Sequence, residues 1–453
     1  MKRTTIALLA LIAFVATAEE SSLFGPSHLT TRSGERADPD SFFEATDCGE
    51  CHVDQYADWK GSMHNRAHHD GIYLAFAELA REEGGDALYQ FCSSCHAPLA
   101  VSTGEIPAKK GKDLTYLTDE GVTCDVCHNV KEVREFHAGG GANASIVLEE
   151  GEVRFGPLAD PGENPVHTSE QVELHASSKL CSACHTLIHP HDGLVIENTF
   201  EEWKNSEYAK AGIQCQDCHM RTPEQAVEVA RTMKPLKVPG QAAADAPERP
   251  NIHRHLFVGA NTNTAMTGAK EEQAVNARKR LQGAATIVAA FKGEAKPGAE
   301  TEIEVAVTNV GAGHAIPTSI TELRQVWIDL TVKDEDGKEI FRSGAIAANG
   351  AVDPKAVMFN AVLADKQGKV TFKPWLAHSM ISERLIPPKG TERATYRVAI
   401  PANAKLPLSA HAILRYRSAP QEVMDELFGK GKFKIDVVDM CSNDVRHGSG
   451  AND

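Results

Sequence analysis

Ten of the eleven cysteines in this 453-residue chain occur as pairs separated by two residues, and a histidine follows each pair directly. The cysteines are Cys48, Cys51, Cys92, Cys95, Cys124, Cys127, Cys181, Cys184, Cys215 and Cys218, and the histidines are His52, His96, His128, His185 and His219. In this spacing two thiols can bond the vinyl groups of one haem while the histidine ligates its iron. Random placement would give about 0.01 such segments in a chain of this composition. The segments, called motifs 1 to 5 in chain order, therefore predict five covalently bound haem c groups (iron).

Other uses of paired cysteines account for this pattern less well. A redox-active dithiol is expected once, near a βαβ unit, and needs no histidine directly after it. Zinc sites combine two such pairs, but they do not require a histidine after each one. A disulfide framework suits an exported chain, yet it leaves the five histidines unexplained.

The first eighteen residues have the pattern of a secretory signal peptide. Lys2 and Arg3 precede an apolar run over residues 6–15, and a small-residue segment ends at Ala18. The run is too short to span a bilayer, so we expect cleavage after about Ala18 and a periplasmic or extracellular protein that is not integral to a membrane. Loss of the two basic residues takes the net charge from −15 to −15 − 2 = −17. This acidity disfavours nucleic acid and favours basic or neutral redox partners.

Residues 19–232 contain all five motifs and few bulky apolar residues, and aromatic residues make up only 6% of the chain. A conventional core would be thin there, so the macrocycles are expected to supply the interior of this pentahaem domain. Periodicity predicts helices over 73–81, 170–180 and 199–211, with a break at Gly84-Gly85. Residues 145–148 and 152–155 predict a hairpin.

The pattern changes in the second half of the chain. Residues 233–295 predict a Pro/Ala-rich linker followed by a packing helix over 269–291. Residues 296–440 alternate apolar and polar side chains, with turn sequences at 334–337 and 365–368, which predicts a β-sandwich-like domain. Residues 441–453 are expected to form a tail. The predicted fold class is α+β: a mostly helical, loop-rich multihaem domain followed by the β domain.

Several segments resemble the multihaem cytochrome c superfamily that includes pentahaem nitrite reductase, hydroxylamine oxidoreductase and the latter's tetrahaem cytochrome partner. They are Cys-x-x-Cys-His-x-x-x-Tyr-x-x-Trp-x-x-Ser-x-His over 48–64, Glu-Gly-Val-Thr-Cys-Asp-Val-Cys-His over 120–128 and Gly-Ile-Gln-Cys-Gln-Asp-Cys-His-Met over 212–220. In the second half, residues 311–318, 324–327 and 414–421 resemble exported multihaem cytochromes of metal-respiring bacteria. The resemblance implies a helical haem domain with closely stacked haem pairs.

Five histidines are predicted as second, distal iron ligands: His64, His167, His175, His255 and His314. The resemblance suggests the first four. His314 is proposed because Gly311 and Gly313 would let its loop approach a flat ring. The less favoured candidates are His68, His137, His189 and His191. For every candidate the alternative is a histidine that does not ligate iron and is either solvated or placed behind a ligand. We expect His28, His378, His411 and His447 to be structural and Cys441 to be a free thiol.

The number of distal histidines decides between functions. Iron with imidazole on both sides is saturated and suits electron transfer, whereas an open face can bind nitrite or hydroxylamine. Twenty histidines less the five in the motifs leave fifteen, and all five motifs end in His, unlike the Cys-x-x-Cys-Lys site of pentahaem nitrite reductase. The sequence favours an electron carrier with mainly bis-histidine haems that acts in anaerobic respiration or extracellular electron transfer. Its redox partners would be other cytochromes, a quinol-oxidising complex or a terminal reductase. The alternatives are a multihaem reductase and a subunit of an extracellular cytochrome filament or other homo-oligomer.

Overall fold

The computed structural model describes residues 23–268 and 270–448. Residues 1–22, Ala269 and residues 449–453 lie outside the described residues, and the first of these ranges includes the predicted signal peptide. The described chain has a helical, loop-rich part that carries the motifs, followed by a strand-rich part, which confirms the predicted α+β class. No helix in the described ranges is both long and apolar enough to cross a membrane.

Most helices of the first part are short because loops that position ligands interrupt them. They are α1 (Ala45–Gly49), α2 (Val53–Lys60), α3 (Gly71–His96), α4 (Pro98–Thr103), α5 (Glu105–Ala108), α6 (Tyr116–Asp119), α7 (Cys124–His128), α8 (Ser178–Ser182), α9 (Thr199–Lys204), α10 (Glu207–Lys210), α11 (Cys215–His219), α12 (Pro223–Thr232), α13 (Thr264–Thr267) and α14 (Glu271–Gln282). Two of them, α7 and α11, consist of motifs 3 and 5 alone.

Local residues explain where the predicted helices stop. Gly85 takes a left-handed φ of 76° inside α3, so the predicted break at Gly84-Gly85 is confirmed and the second half of α3 carries motif 2. The helix predicted over 199–211 is two helices, because Ser206 caps α10 through the amides of Tyr208 and Ala209. Residues 170–180 contain a strand end, a 3₁₀ turn and the start of α8 rather than one helix.

The motif region also contains short strands: β1 (Thr30–Thr31), β2 (Val130–Val133), β3 (Ile146–Leu148), β4 (Val153–Gly156), β5 (Thr168–Gln171), β6 (Leu187–Ile188) and β7 (Val195–Glu197). The predicted hairpin between residues 145–148 and 152–155 is wrong. β3 lies between β1 and β2, and β4 pairs in parallel with β5. All three residues of β3 are buried, and a fully buried strand favours partners on both edges over a solvent-facing hairpin.

The second part contains the strands β8 (Ala285–Lys292), β9 (Glu300–Asn309), β10 (Gln325–Lys333), β11 (Glu339–Ser343), β12 (Met358–Ala364), β13 (Val370–Thr371), β14 (Ser379–Arg384), β15 (Thr391–Ala399), β16 (Leu408–Arg417) and β17 (Val438–His447), with α15 (Gln421–Phe428) before the last. One sheet has the order β13-β12-β10-β16-β17, with β11 on β10 and β14 on β12, and a second has the order β15-β9-β8. Val305 and Val307 of the second sheet share one buried cluster with Ile328 and Leu414 of the first. The two sheets therefore pack face to face around a conventional apolar core.

Two predicted boundaries in this part are corrected. The helix predicted over 269–291 ends at Gln282, and residues 285–292 form β8. Ala285, Ile287 and Ala289 alternate in burial with their neighbours, so the period is two and not 3.6. The tail predicted from 441 is instead largely strand, since β17 pairs antiparallel with β16 as far as His447. The turns predicted at 334–337 and 365–368 do connect antiparallel pairs.

Candidate haem sites

All five motifs line one cavity of about 2140 Å³ in the middle of the first part. The ten motif cysteines, the five motif histidines and all five predicted distal histidines lie on its wall. Loops of the β-sandwich close one side of it, including residues 311–320 and 374–376. The first part thus encloses a large apolar-walled space beside its buried side-chain cluster, which includes Leu99, Ile106 and Leu148.

Each motif histidine is held through its Nδ1 atom. Four Nδ1 atoms lie within hydrogen-bond distance of backbone carbonyl oxygens, and the pairs are His52 with Ala242 (2.6 Å), His96 with Ala67 (2.8 Å), His128 with Phe155 (2.6 Å) and His219 with Val258 (2.8 Å). The Nδ1 atom of His185 lies instead 3.5 Å from a carboxylate oxygen of Glu197. Metal-ligating histidines have such a partner on the nitrogen that does not bind the metal. The arrangement therefore leaves Nε2 of each motif histidine for iron.

Four motif histidines face a second imidazole across the cavity. The ring centres are 6.2 Å apart for His52 and His167, 6.4 Å for His185 and His64, 6.4 Å for His128 and His255, and 6.1 Å for His219 and His314. The paired planes differ in tilt by only 19° to 28°. With metal–nitrogen bonds of about 2 Å on each side of an iron, two axial imidazoles have ring centres about 6 Å apart. The residues present therefore fit a haem iron between each pair.

Burial keeps most of these imidazoles in the neutral form that binds metals. It lowers the pKa of His64, His219 and His255 to about 3 each. His185 is the exception: burial favours a low pKa, but contact with the Glu197 carboxylate outweighs it and raises the pKa to about 9. The environment of motif 4 is thus electrically different from that of the other motifs.

Motif 3 has two histidines nearby. The ring of His175 is 5.6 Å from that of His128, closer than that of His255 at 6.4 Å. Nε2 of His175 is within 2.9 Å of the carbonyl oxygen of Val130, so this nitrogen is already engaged in a hydrogen bond. The separation for His255 also matches the other three pairs more closely. Of the two, His255 has the geometry of a second axial ligand.

Motif 2 differs from the other four. The ring of Tyr73 stacks on His96 with centres 3.8 Å apart, and its hydroxyl lies 3.2 Å from Ser93 Oγ. Among the described residues no imidazole ring lies opposite His96 at the spacing of the other pairs; the aromatic neighbour found is Tyr73. The less favoured candidate nearest in sequence, His68, instead has its Nε2 3.3 Å from the hydroxyl of Tyr89.

The other less favoured candidates and the histidines predicted to be structural contact polar or aromatic residues outside the motifs. His137 contacts Glu201 (2.9 Å), His189 contacts Asp192 (2.9 Å), His378 contacts Asp192 (3.0 Å), His411 contacts Asp444 (2.8 Å), His28 stacks on Phe136, His447 stacks on Phe291, and His191 packs beside His189. Cys441 is a free thiol in β17. His314 lies opposite motif 5 of the same chain, and the glycines beside it, Gly311 and Gly313, line the same cavity. A Cβ at Gly311 would lie 2.1 Å from the carbonyl oxygen of Gly283, so this glycine lets two backbones meet.

Several of the motifs are adjacent in space. Three hydrogen bonds join thiols of different motifs: Cys48 with Cys124, Cys95 with Cys184, and Cys181 with Cys215. These contacts join motif 1 to 3, motif 2 to 4 and motif 4 to 5. Haems attached at these cysteines would lie side by side.

Comparisons with known proteins concern the family and the fold. The family model described as cytochrome c554 and c-prime matches residues 47–129, which contain motifs 1 to 3. The structure is similar to that of a penta-haem cytochrome c552 from Thermochromatium tepidum, with a TM-score of 0.62, 21% sequence identity, and coverage of 90% of this chain and 100% of that one. The chain is a multihaem cytochrome c.

At 21% identity, the structural similarity supports a shared fold and no more detailed property. A CARDB domain from Pyrococcus furiosus, solved in complex with di-metal ions, matches 36% of this cytochrome and 84% of that chain at 12% identity, but its TM-score of 0.16 is too low to support an argument. No curated protein matches the sequence significantly.

Two charged residues at the sites were not predicted. Glu197, at the end of β7, contacts His185, and Arg280, on α14, hydrogen-bonds the thiol of Cys218. Neither belongs to a motif, and neither lies near its partner in sequence. A charged residue beside a haem motif carries no sequence signal of its own, so the fold was needed to find both.

Proposed function

We propose that this multihaem cytochrome binds five haems and carries electrons along them in anaerobic respiration or extracellular electron transfer. The observation that carries the proposal is the set of four imidazole pairs with ring centres 6.1–6.4 Å apart. When bound, each haem supplies a one-electron Fe(III)/Fe(II) couple. At four of the five motifs the chain would supply two imidazoles to the iron, one of them with a fixed Nδ1 partner, and this favours electron transfer over ligand exchange.

The distal ligands follow from the same pairs. We assign His167 to motif 1, His255 to motif 3, His64 to motif 4 and His314 to motif 5. His175 then acts beside motif 3, since its Nε2 is engaged with the Val130 carbonyl oxygen. The pairwise cysteine contacts between motifs support transfer between neighbouring haems over short distances.

We also propose that the chain is exported, because c-type haems are attached outside the cytoplasmic membrane and the first eighteen residues have the pattern of a signal peptide. The acidic net charge of −15 supports a basic or neutral redox partner protein.

Two measurements on the purified protein test the proposal. Denaturing mass spectrometry should give the mass of a chain that begins near Glu19 plus five haems. Electron paramagnetic resonance of the oxidised protein should show low-spin iron at four of the five sites. A fully matured sample with four or fewer haems, or with high-spin iron at several sites, contradicts the proposal.

Motif 2 favours a second candidate function, a multihaem reductase of nitrite or hydroxylamine. Tyr73 stacks on its histidine, and the described residues place no imidazole opposite His96. A haem there with one open face could bind a small ligand. Carbon monoxide added to the reduced protein should bind at most this one site. Turnover of nitrite or hydroxylamine coupled to that site would favour the reductase, whereas ligand binding without turnover favours the electron carrier.

A further inference from the structure

The Nδ1 partner of the motif histidines differs at motif 4. Four of them contact neutral carbonyl oxygens, whereas His185 lies 3.5 Å from the carboxylate of Glu197, which is 7% exposed. A carboxylate in this position makes the imidazole a stronger electron donor to its metal than a carbonyl does. Its negative charge, little screened in a buried site, also favours the more positive Fe(III) form. Both effects make an iron held by His185 harder to reduce.

The opposite charge lies at motif 5. The guanidinium of Arg280 lines the cavity and donates a hydrogen bond to the sulfur of Cys218. Its charge acts on both histidines of this pair, since it contributes to lowering the pKa of His219 and of His314. A positive charge near the ligands favours Fe(II) over Fe(III).

The described residues include no carboxylate that neutralises Arg280. The groups that act favourably on its charge are Cys218 and Tyr208. Its neighbours on α14 are paired differently, because Arg278 forms an ion pair with Glu271 and Lys279 with Glu224. Arg280 is therefore the basic residue of this helix turn whose charge is directed into the haem cavity.

These opposite charges act on adjacent sites. The thiol of Cys181 in motif 4 hydrogen-bonds that of Cys215 in motif 5. A difference in potential between two such neighbours biases the position of an electron shared between them.

We propose that Glu197 and Arg280 set the reduction potentials of two neighbouring haems in opposite directions, low at motif 4 and high at motif 5. The inference rests on the proposed electron-transfer function and specifies the direction of transfer between these two haems, from motif 4 to motif 5. One electron that leaves Fe(II) at motif 4 converts Fe(III) to Fe(II) at motif 5, and no proton or bond is exchanged. Glu197 acts through its contact with His185, and Arg280 acts through its contact with Cys218 and its charge near His219 and His314, so both are positioning residues.

The test is a spectroscopic redox titration of the full-length, five-haem protein and of two variants. Glu197→Gln keeps the size of the side chain and removes its charge, and it should raise one of the five potentials. Arg280→Met should lower a different one. Each shift should change the Fe(II)/Fe(III) ratio of that haem at least tenfold at a fixed potential, which is about 59 mV for one electron. The g values of one low-spin signal should also change in Glu197→Gln, because the ligand loses its anionic partner.

Matched controls lie close in sequence to the two residues, Glu201 on α9 four residues after Glu197 and Arg278 on the same helix as Arg280. Glu201→Gln removes a carboxylate that contacts His137 and no motif histidine. Arg278→Met removes a charge two residues from Arg280 on the same helix. Neither control should move any potential as much as threefold. If Glu197→Gln is not recovered with five haems, Glu197→Asp withdraws the carboxylate from His185 and should shift the same potential upward by less.

A shift in only one of the two variants, shifts of the same sign, or shifts no larger than those of the controls would overturn the inference. Such results would leave the proposed function intact, since that function fails on haem count and spin state in the unmodified protein. Opposite shifts, with the double variant showing both, would support it.

Discussion

The two parts of this cytochrome are filled in different ways. The β-sandwich has a continuous side-chain core, in which residues such as Val305, Ile328 and Leu414 are completely buried. The motif region has buried clusters as well, one of them containing Leu99 and Ile106, but they surround a cavity of about 2140 Å³ that is lined by cysteines, histidines and apolar side chains. One part is specified by hydrophobic periodicity and the other by cofactor attachment. The stability of the first part should therefore depend on chemistry that the second does not need.

The strongest test of this difference is to prevent haem attachment. Replacing the ten motif cysteines by alanine should leave the cavity unfilled, and the buried clusters around it should then remove too little apolar surface from water to offset the chain entropy. The β-sandwich should survive. Limited proteolysis with mass spectrometry should therefore remove most of residues 23–260 and leave a resistant fragment over about 285–448.

The control for this experiment is Cys441→Ala, which changes a cysteine of β17 outside the motifs and should leave haem content and the digestion pattern unchanged. Loss of both parts together would contradict the comparison, since it would show that the sandwich depends on the haems.

The next largest effect is expected from the core of the sandwich. Leu414 is 0% exposed and lies between the two sheets. Leu414→Ala removes buried methyl groups and leaves a void, which should lower the free energy of unfolding of the sandwich by about 2–5 kcal/mol. Chemical denaturation followed by circular dichroism measures this change. Val288→Ala, at a position that is 55% exposed, should change it by less than about 0.5 kcal/mol.

The same difference explains what the sequence could predict. Motif cysteines and histidines were identified because haem attachment is a local, five-residue pattern. The strands β9, β10 and β16 were identified because their side chains alternate. The distal ligands were harder, since each candidate lies far along the chain from the histidine that it faces. His175 and His255 illustrate this: both approach His128, and only the contact of His175 with Val130 and the ring-centre distances of 5.6 and 6.4 Å distinguish them.

Other errors have equally specific causes. β8 was predicted as part of a helix because its alanines fit both the two-residue period of a strand and the apolar stripe of a helix. Only the observed burial of alternate residues distinguishes the two. The unusual motif 2 could not be foreseen, because a histidine surplus in the composition does not say where each ring lies. Glu197 and Arg280 likewise become visible only when the fold brings β7 and α14 to the motifs.

A third prediction tests whether the sandwich also supplies an iron ligand. His314 lies in a loop of the sandwich yet faces His219 with ring centres 6.1 Å apart. His314→Ala should convert the motif 5 haem, one of five, from low-spin to high-spin while the others stay unchanged. Electron paramagnetic resonance and the visible spectrum measure this, and His447→Ala, another sandwich histidine, which stacks on Phe291, should have no effect. An unchanged low-spin signal in His314→Ala would exclude it as the ligand.

The smallest expected effect is a pH dependence at the junction of the two parts. Glu322 precedes β10, and its carboxylate oxygens have no hydrogen-bond partner among the described residues. Burial raises the pKa of this carboxyl from 4.5 to about 7. Because the folded pKa is raised, the carboxyl stays protonated in the folded state while the unfolded state ionises above pH 4.5. Its contribution to stability is thus fully present below pH 4.5 and is lost as the pH rises to about 7.

The loss from this one group should be at most about 1.4 kcal/mol per pH unit over that interval. Glu322→Gln cannot ionise, so its free energy of unfolding should depend less on pH between 5 and 7 than that of the unmodified protein, and it should be the more stable of the two near pH 7. Denaturation at several pH values measures this, with Glu335→Gln, an exposed carboxylate in the β10–β11 turn, as the control. Parallel pH profiles for Glu322→Gln and the unmodified protein would mean that Glu322 is ionised in the folded state. The charge of Arg324 favours the ionised form of Glu322. The next test would then be to replace Arg324 in the protein that retains Glu322.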